Sequence, residues 1–311
     1  MKKKIFDAVI ILAFLVLLFE ILTNKNLVSE TISYSLNLWV TSVLPSLFPF
    51  FIISDVLISY NITNYIPNIF KKTFTKLFRI NDAQLTIFFL SCVSGFPSNA
   101  RNTRNLYDKG IITKEEASHI LMFTHFSNPL FILSTVAVSF LNQESYGIFI
   151  LISHYLGNFI LGLFVRNYSS VSDHYYMTNL EKSQSFSQVF LHAIRSSVDT
   201  LLMILGTLTC FLLVSSLMIN RLEVGIYSSS ILRGILEITM GLKSLSLLPL
   251  TDIYKVVIAT MFISFGGFSV HLQVISQLVD TDIPYQPFFV ARVFHALFSG
   301  GICYLLFSIF M

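Results

Sequence analysis

The residues best placed to do chemistry are neutral polar side chains set inside apolar runs. Ser94, Ser98 and Asn99 surround Gly95; Asn128 sits in Ser127-Asn-Pro129; Ser269, His271 and Gln273 follow Gly266-Gly267. No zinc-protease His-Glu-x-x-His, P-loop or Gly-x-Ser-x-Gly elbow is present, so neither catalysis nor a cofactor is expected. His119 and His125 are six residues apart, which is not one helical face, and lone histidines in a bundle are more often structural. What remains is hydrogen bonding. Donors and acceptors of this kind suit a polar, weakly charged solute, at about 1 kcal/mol net per bond. The competing reading is that they cap broken backbone, which unwound segments in a membrane require. Binding is favoured for Asn99 and Gln273, and capping for the serines. Arg101 and Arg104 fit a cytoplasmic mouth, while Arg292, with His295 one turn on, needs a partner or a route to the interface.

The elements that must position these residues are membrane helices. Of 311 residues, 54% are hydrophobic and 12% charged, with a mean hydropathy of +0.72, about half the charge of a soluble domain. The net charge of +3 is too small to argue for nucleic acid. Cys92, Cys210 and Cys303 lie in apolar runs and form no disulfide framework or metal pair. Ile5 to Leu22, after three lysines, is long enough to span and lacks a cleavage pattern, so it reads as a retained first helix.

After a loop over 23–30, a span over 36–60 contains Pro45 and Pro49, which must kink or split it, and Asp55. Residues 67–80 interleave Phe70, Phe74 and Phe78 with Lys71, Lys72, Lys76 and Arg79. That pattern predicts a basic amphipathic helix on the membrane surface. The stretch 84–110 has a short apolar arm that turns at Gly95-Phe96-Pro97, reading as a re-entrant hairpin. Thr113-Lys-Glu-Glu116 is a capping box that opens a helix, broken in turn by Ser127-Asn-Pro129. Spans follow over 146–165, 198–219 and 287–311. Residues 166–197 read as a loop, 226–242 as more interfacial than spanning, and 254–279 as a second hairpin with its tip at Gly267.

The expected fold is therefore an all-α polytopic membrane protein, an inverted repeat with two re-entrant helical hairpins and interfacial helices. An anchor at 1–30 precedes a first repeat at 31–165, a cytoplasmic loop at 166–197 and a second repeat at 198–311. With the amino terminus inside, the cytoplasmic segments hold 14 of the 20 Lys and Arg residues, in keeping with the positive-inside tendency.

Six ordered blocks carry a resemblance: Leu44-Pro-Ser-Leu-Phe-Pro-Phe50, Ser94-Gly-Phe-Pro-Ser-Asn-Ala100, Gly110-Ile-Ile-Thr-Lys-Glu-Glu-Ala117, Ser127-Asn-Pro-Leu-Phe-Ile132, His154-Tyr-Leu-Gly157 and Gly266-Gly-Phe-Ser-Val-His-Leu-Gln273. From about Leu36 onward the chain resembles the YlbJ family of sporulation integral membrane proteins, which carry nucleoside-recognition (Gate) domains. The resemblance implies a multi-pass protein of a bacterial endospore-former, in the mother-cell or forespore membrane, needed for the spore cortex. It also implies a distant likeness to concentrative nucleoside transporters, and hence a secondary transporter or permease of a nucleoside-like solute. The substrate-binding set would be Ser94, Gly95, Ser98, Asn99, Asn128, Gly267, Ser269, His271 and Gln273. Expected partners are the lipid bilayer and a small polar solute, not nucleic acid, with self-association left open. A non-transporting scaffold for spore-envelope assembly is the alternative.

Overall fold

A computed structural model describes residues 2–60, 62–169 and 185–311. All regular elements among them are helices. Helix α1 (Lys2–Thr23) is apolar on every side, and the rest of the chain buries none of its spanning window. A helix exposed and apolar all round is stable in lipid, not in water. Its far end is tied down where Glu20 pairs with Arg221 at 3.6 Å.

The span expected over 36–60 begins earlier. Helix α2 (Lys25–Leu38) occupies most of the expected loop and passes through a π-helical turn at Trp39–Val43 into α3 (Leu44–Ser59). Pro45 and Pro49 each lack an N–H, so the ladder loosens just ahead of them instead of breaking. The surface helix is present as α4 (Asn68–Phe78). Its exposed Ile69 and Phe70 face outward, while Phe78 is fully buried and stacks on Phe123 at 5.1 Å.

Helices α5 (Asp82–Ser94) and α6 (Ser98–Asp108) form the first hairpin, turning at Gly95. The Thr113 capping box is in place, with Thr113 Oγ1 accepting from the Glu116 N–H at 3.2 Å. It opens α7 (Lys114–Phe123), which unwinds over 124–128 and resumes as a π-helical segment, Phe131–Phe140. Helix α8 (Glu144–Val165) returns. Of the expected loop at 166–197, residues 170–184 lie outside the described residues, and helix α9 (Phe186–Leu222) is already formed from 186.

The second half refines one reading and overturns another. Residues 226–242 are part of a hairpin: α10 (Ile226–Leu236) and α11 (Ile238–Ser246), each too short to span, pack against each other and turn at Glu237. Ser244 donates to Ser230 across the two arms at 3.1 Å. Gly234 and Gly241 meet backbone to backbone, leaving no room for a side chain. Conversely, 252–278 is not a hairpin. It is one long helix broken at Gly266, α12 (Asp252–Phe265) running on as α13 (Gly267–Leu278). Glu237, at the α10–α11 turn, is buried, while Arg233 is half-buried. The Gly266-Gly267 pair suggests a hairpin because positive φ, here +93° and +65°, serves a break as well as a turn.

Helix α14 (Gln286–Phe310) completes the chain. The halves then follow one order: long helix, hairpin, broken helix, closing helix. Neighbour relations repeat too. Hairpin arm α6 packs on α7 and α13, and its counterpart α11 packs on α12 and the π segment Phe131–Phe140. Counting α1, six helices among the described residues are long and apolar enough to cross a membrane.

Candidate functional site

The two broken helices and the two hairpin tips converge. Each tip rests on the break of its own half through a glycine. A Cβ on Gly95 would lie 2.7 Å from the Asn128 backbone nitrogen, and one on Gly267 would lie 3.3 Å from that of Ile238. Glycine is thus required for close backbone approach at both contacts.

Between them and the long helices lies a partly open cavity of about 60 Å³. That is room for a few water molecules. Its walls are apolar, from Val43 and Leu47 on one long helix to Ile204 and Leu208 on the other, with Phe96 and Phe131. Ser127, Ser269, Gln273 and Glu237 interrupt them with polar groups, as do Ser46, Asn128 and Thr239. Ser127 Oγ is buried without a hydrogen-bond partner. Gln273 donates one N–H to Thr207 Oγ1 at 3.0 Å, which fixes its amide. Glu237 accepts from the Met240 N–H at 2.9 Å and from the Thr239 hydroxyl, so the tip of the second hairpin is held by its own carboxylate.

Of the nine residues expected to bind, Asn128, Ser269 and Gln273 line this cavity. Asn128 is spent on structure: its amide donates to Ser46 O and Val93 O, both at 3.0 Å, and its oxygen accepts from the Leu130 N–H at 2.8 Å. Ser94 and Ser98 bond to each other across the first tip. Gly95 and Gly267 are packing contacts. Asn99 is buried beneath the tip with both amide atoms unpartnered. His271 points away, accepting from the Tyr285 hydroxyl at 2.7 Å and donating to Phe265 O at 3.0 Å. Ser127 and Glu237 also line the cavity and were not in the expected binding set. A sequence signal for Glu237 exists: it stands three residues before Met240, an N-cap spacing, between Gly234 and Gly241.

A larger polar vestibule of about 510 Å³ follows the same groove between α9 and α13. It is lined by Arg101, His192, Arg195, Asp199, Ser276 and Gln277. Arg101 is not a free charge in this vestibule. It pairs with Asp55 of α3, contacts Thr200 of α9 at 3.4 Å and lies over the Phe51 ring. This ion pair ties hairpin arm α6 to both long helices at the edge of the vestibule.

Behind the cavity, α8 and α14 supply a second polar cluster that fastens the first break. The unwound Ser127 N–H donates to His154 Nε2 at 2.9 Å, and Asn158 donates to His125 O at 2.9 Å. His154 Nδ1 then donates to Ser264 Oγ at 2.9 Å, reaching the second broken helix. Arg292, expected to need a partner or a route to the interface, is fully buried here and donates to Met122 O. Among the described residues, no group of three or more metal-ligating side chains is found.

A family model described as "Nucleoside recognition", Gate, matches residues 40–144, which run from the π turn before α3 to the start of α8. The chain is 28% identical to the sporulation integral membrane protein YlbJ of Bacillus subtilis (strain 168), over 92% of its own length and 79% of that protein's. No solved structure matches it. The resemblance carried by the six motif blocks thus holds over nearly the whole chain: this is a multi-pass helical membrane protein, similar over most of its length to a sporulation integral membrane protein and, over residues 40–144, to the Gate nucleoside-recognition family.

Proposed function

We propose that the chain passes a small polar solute, nucleoside-like in chemistry, across a bacterial membrane in which it serves spore formation. The observation that carries this reading is the cavity where both broken helices and both hairpin tips meet, its apolar walls interrupted by polar residues that include Ser127, Ser269, Gln273 and Glu237. In carriers built from inverted repeats, substrate binds at that kind of meeting point. Phe96 and Phe131 offer aromatic surface to a planar solute, and the polar residues offer both donors and acceptors. The cavity must widen to admit one, and the two breaks are natural hinges for that movement. The vestibule is its access route, with the Asp55–Arg101 pair as the latch. Basic residues gathered on the vestibule side argue that this side is cytoplasmic and the amino terminus with it. The Bacillus relative's printed name motivates the sporulation role, and a spore-cortex function is the form we expect it to take.

Uptake of labelled nucleosides and related small polar solutes into proteoliposomes tests the reading. Saturable uptake that is lost when Val270→Trp plugs the cavity supports it; no uptake of any solute in the panel removes it. The alternative, a non-transporting scaffold for the spore envelope, is favoured by the small volume. Deleting the gene in its host should leave growth normal and spores heat-sensitive under either reading, so that experiment tests the sporulation assignment alone.

A further inference from the structure

Arg292 is fully buried on α14, and no carboxylate of the described residues lies within ion-pair reach of it. Burying a charge in this way costs several kcal/mol unless its surroundings compensate. They do so with neutral acceptors. The guanidinium donates to Met122 O, to Asn158 Oδ1 at 3.4 Å and to His295 Nδ1 at 2.8 Å, and it stands over the Phe288 ring at 5.2 Å. His295 Nδ1 accepts there in the tautomer whose Nε2–H donates to His154 O at 2.8 Å; Nδ1 also lies 3.1 Å from Ser264 O. Met122 O belongs to the carboxyl end of α7, where the helix dipole presents about half a negative charge. Carbonyl, amide oxygen and imidazole lone pairs converging on one point make a cation site. A side chain occupies it.

The other interrupted helix ends are filled as well. At the end of α5, Val93 O accepts from Asn128; at the end of α12, Phe265 O accepts from His271; the unwound His125 O accepts from Asn158. In broken-helix carriers such ends and unwound carbonyls coordinate the coupling cation. In this chain each of them takes an N–H from the protein, and one of those donors is itself a cation.

We propose that Arg292 is a built-in cation that does permanently what a bound sodium ion does in other broken-helix carriers, so that this core neither needs nor binds sodium. It is a positioning residue, acting through Met122, Asn158 and His295 on the first break. The corollary, that solute passage is not sodium-driven, rests on the transport reading; the cation site does not.

The test uses the full-length protein in nanodiscs. Wild type should melt at the same temperature in sodium chloride and choline chloride, and should show no saturable binding of radioactive sodium. Arg292→Ala should lower the melting temperature on the order of 10 °C. Millimolar methylguanidinium should recover much of that loss, and the neutral methylurea should not. Arg292→Lys should keep sodium-insensitive melting. Sodium-specific stabilisation of wild type, saturable sodium binding, an Arg292→Ala protein as stable as wild type, or equal rescue by methylurea would each overturn the proposal. If Arg292→Ala does not fold, the wild-type and Arg292→Lys measurements decide. None of these readouts uses solute movement, so a failed uptake assay and a failed cation test remain distinct.

Discussion

Asp55 and Arg101 show how charge is handled at the level of single residues. Both side chains are nearly inaccessible, so removing one partner strands the other in a low-dielectric setting. Asp55→Ala should therefore destabilise by about 3–5 kcal/mol, whereas the double change Asp55→Leu with Arg101→Met should be much milder. Thermal unfolding in detergent distinguishes the two; equal losses would mean that the pair is not coupled. Glu237 presents a different balance, being both a cap and a cavity wall. Glu237→Ala should cost about 1 kcal/mol for the lost cap. Glu237→Gln should keep most of that cap and normal abundance while reducing uptake; unchanged uptake would confine Glu237 to capping. The sequence made Gln273 and Ser269 legible because polar residues beside a double glycine in an apolar run are conspicuous. Glu237 escaped, since with Arg233 and Lys243 nearby it resembled an interfacial charge. Only folding reveals that Lys243 reaches back over Tyr34 at 4.4 Å while Glu237 turns inward.

Among the elements, the tip-on-break contacts are the most constrained. Gly95 combines φ of +76° with backbone of Asn128 where a Cβ would go. Gly95→Ala should cost roughly 1–3 kcal/mol for the backbone alone, and more from the clash. Gly267→Val should fail in the same way against Ile238, while Gly301→Ala, with open space beside it, should be tolerated. Membrane abundance and melting temperature report both. The surface helix offers a cleaner contrast. Phe78→Ala should cost about 3–5 kcal/mol because it empties the site packed by Phe88 and Phe123, and Ile69→Ala should stay within about 0.5 kcal/mol. The amphipathic period, the capping box and the Ser-Asn-Pro break were readable because each has a local cause. Hairpin and broken helix were not told apart in the second half. Both consist of two short apolar arms around a flexible point, and only the neighbours decide whether the second arm turns back.

For the whole molecule, the relation between the halves matters more than any one contact. Helix ends sort into two faces. Arg166 donates to Lys76 O at 3.1 Å and Arg104 to Gln277 O at 3.2 Å, joining the surface helix, the first hairpin and the end of α13 on one face. Asn220 donates to Asn24 at 3.2 Å on the other. The first hairpin opens toward the first face and the second toward the opposite one, which is the arrangement that lets one central cavity be exposed to either side in turn. Cysteine labelling at Ser269 tests this most directly, in a protein whose Cys92, Cys210 and Cys303 have been replaced and which is oriented in sealed vesicles. A membrane-impermeant maleimide should modify Ser269→Cys slowly from either side, and Val270→Trp should slow both reactions. Labelling from one side only, or from neither, would contradict alternating access to the cavity.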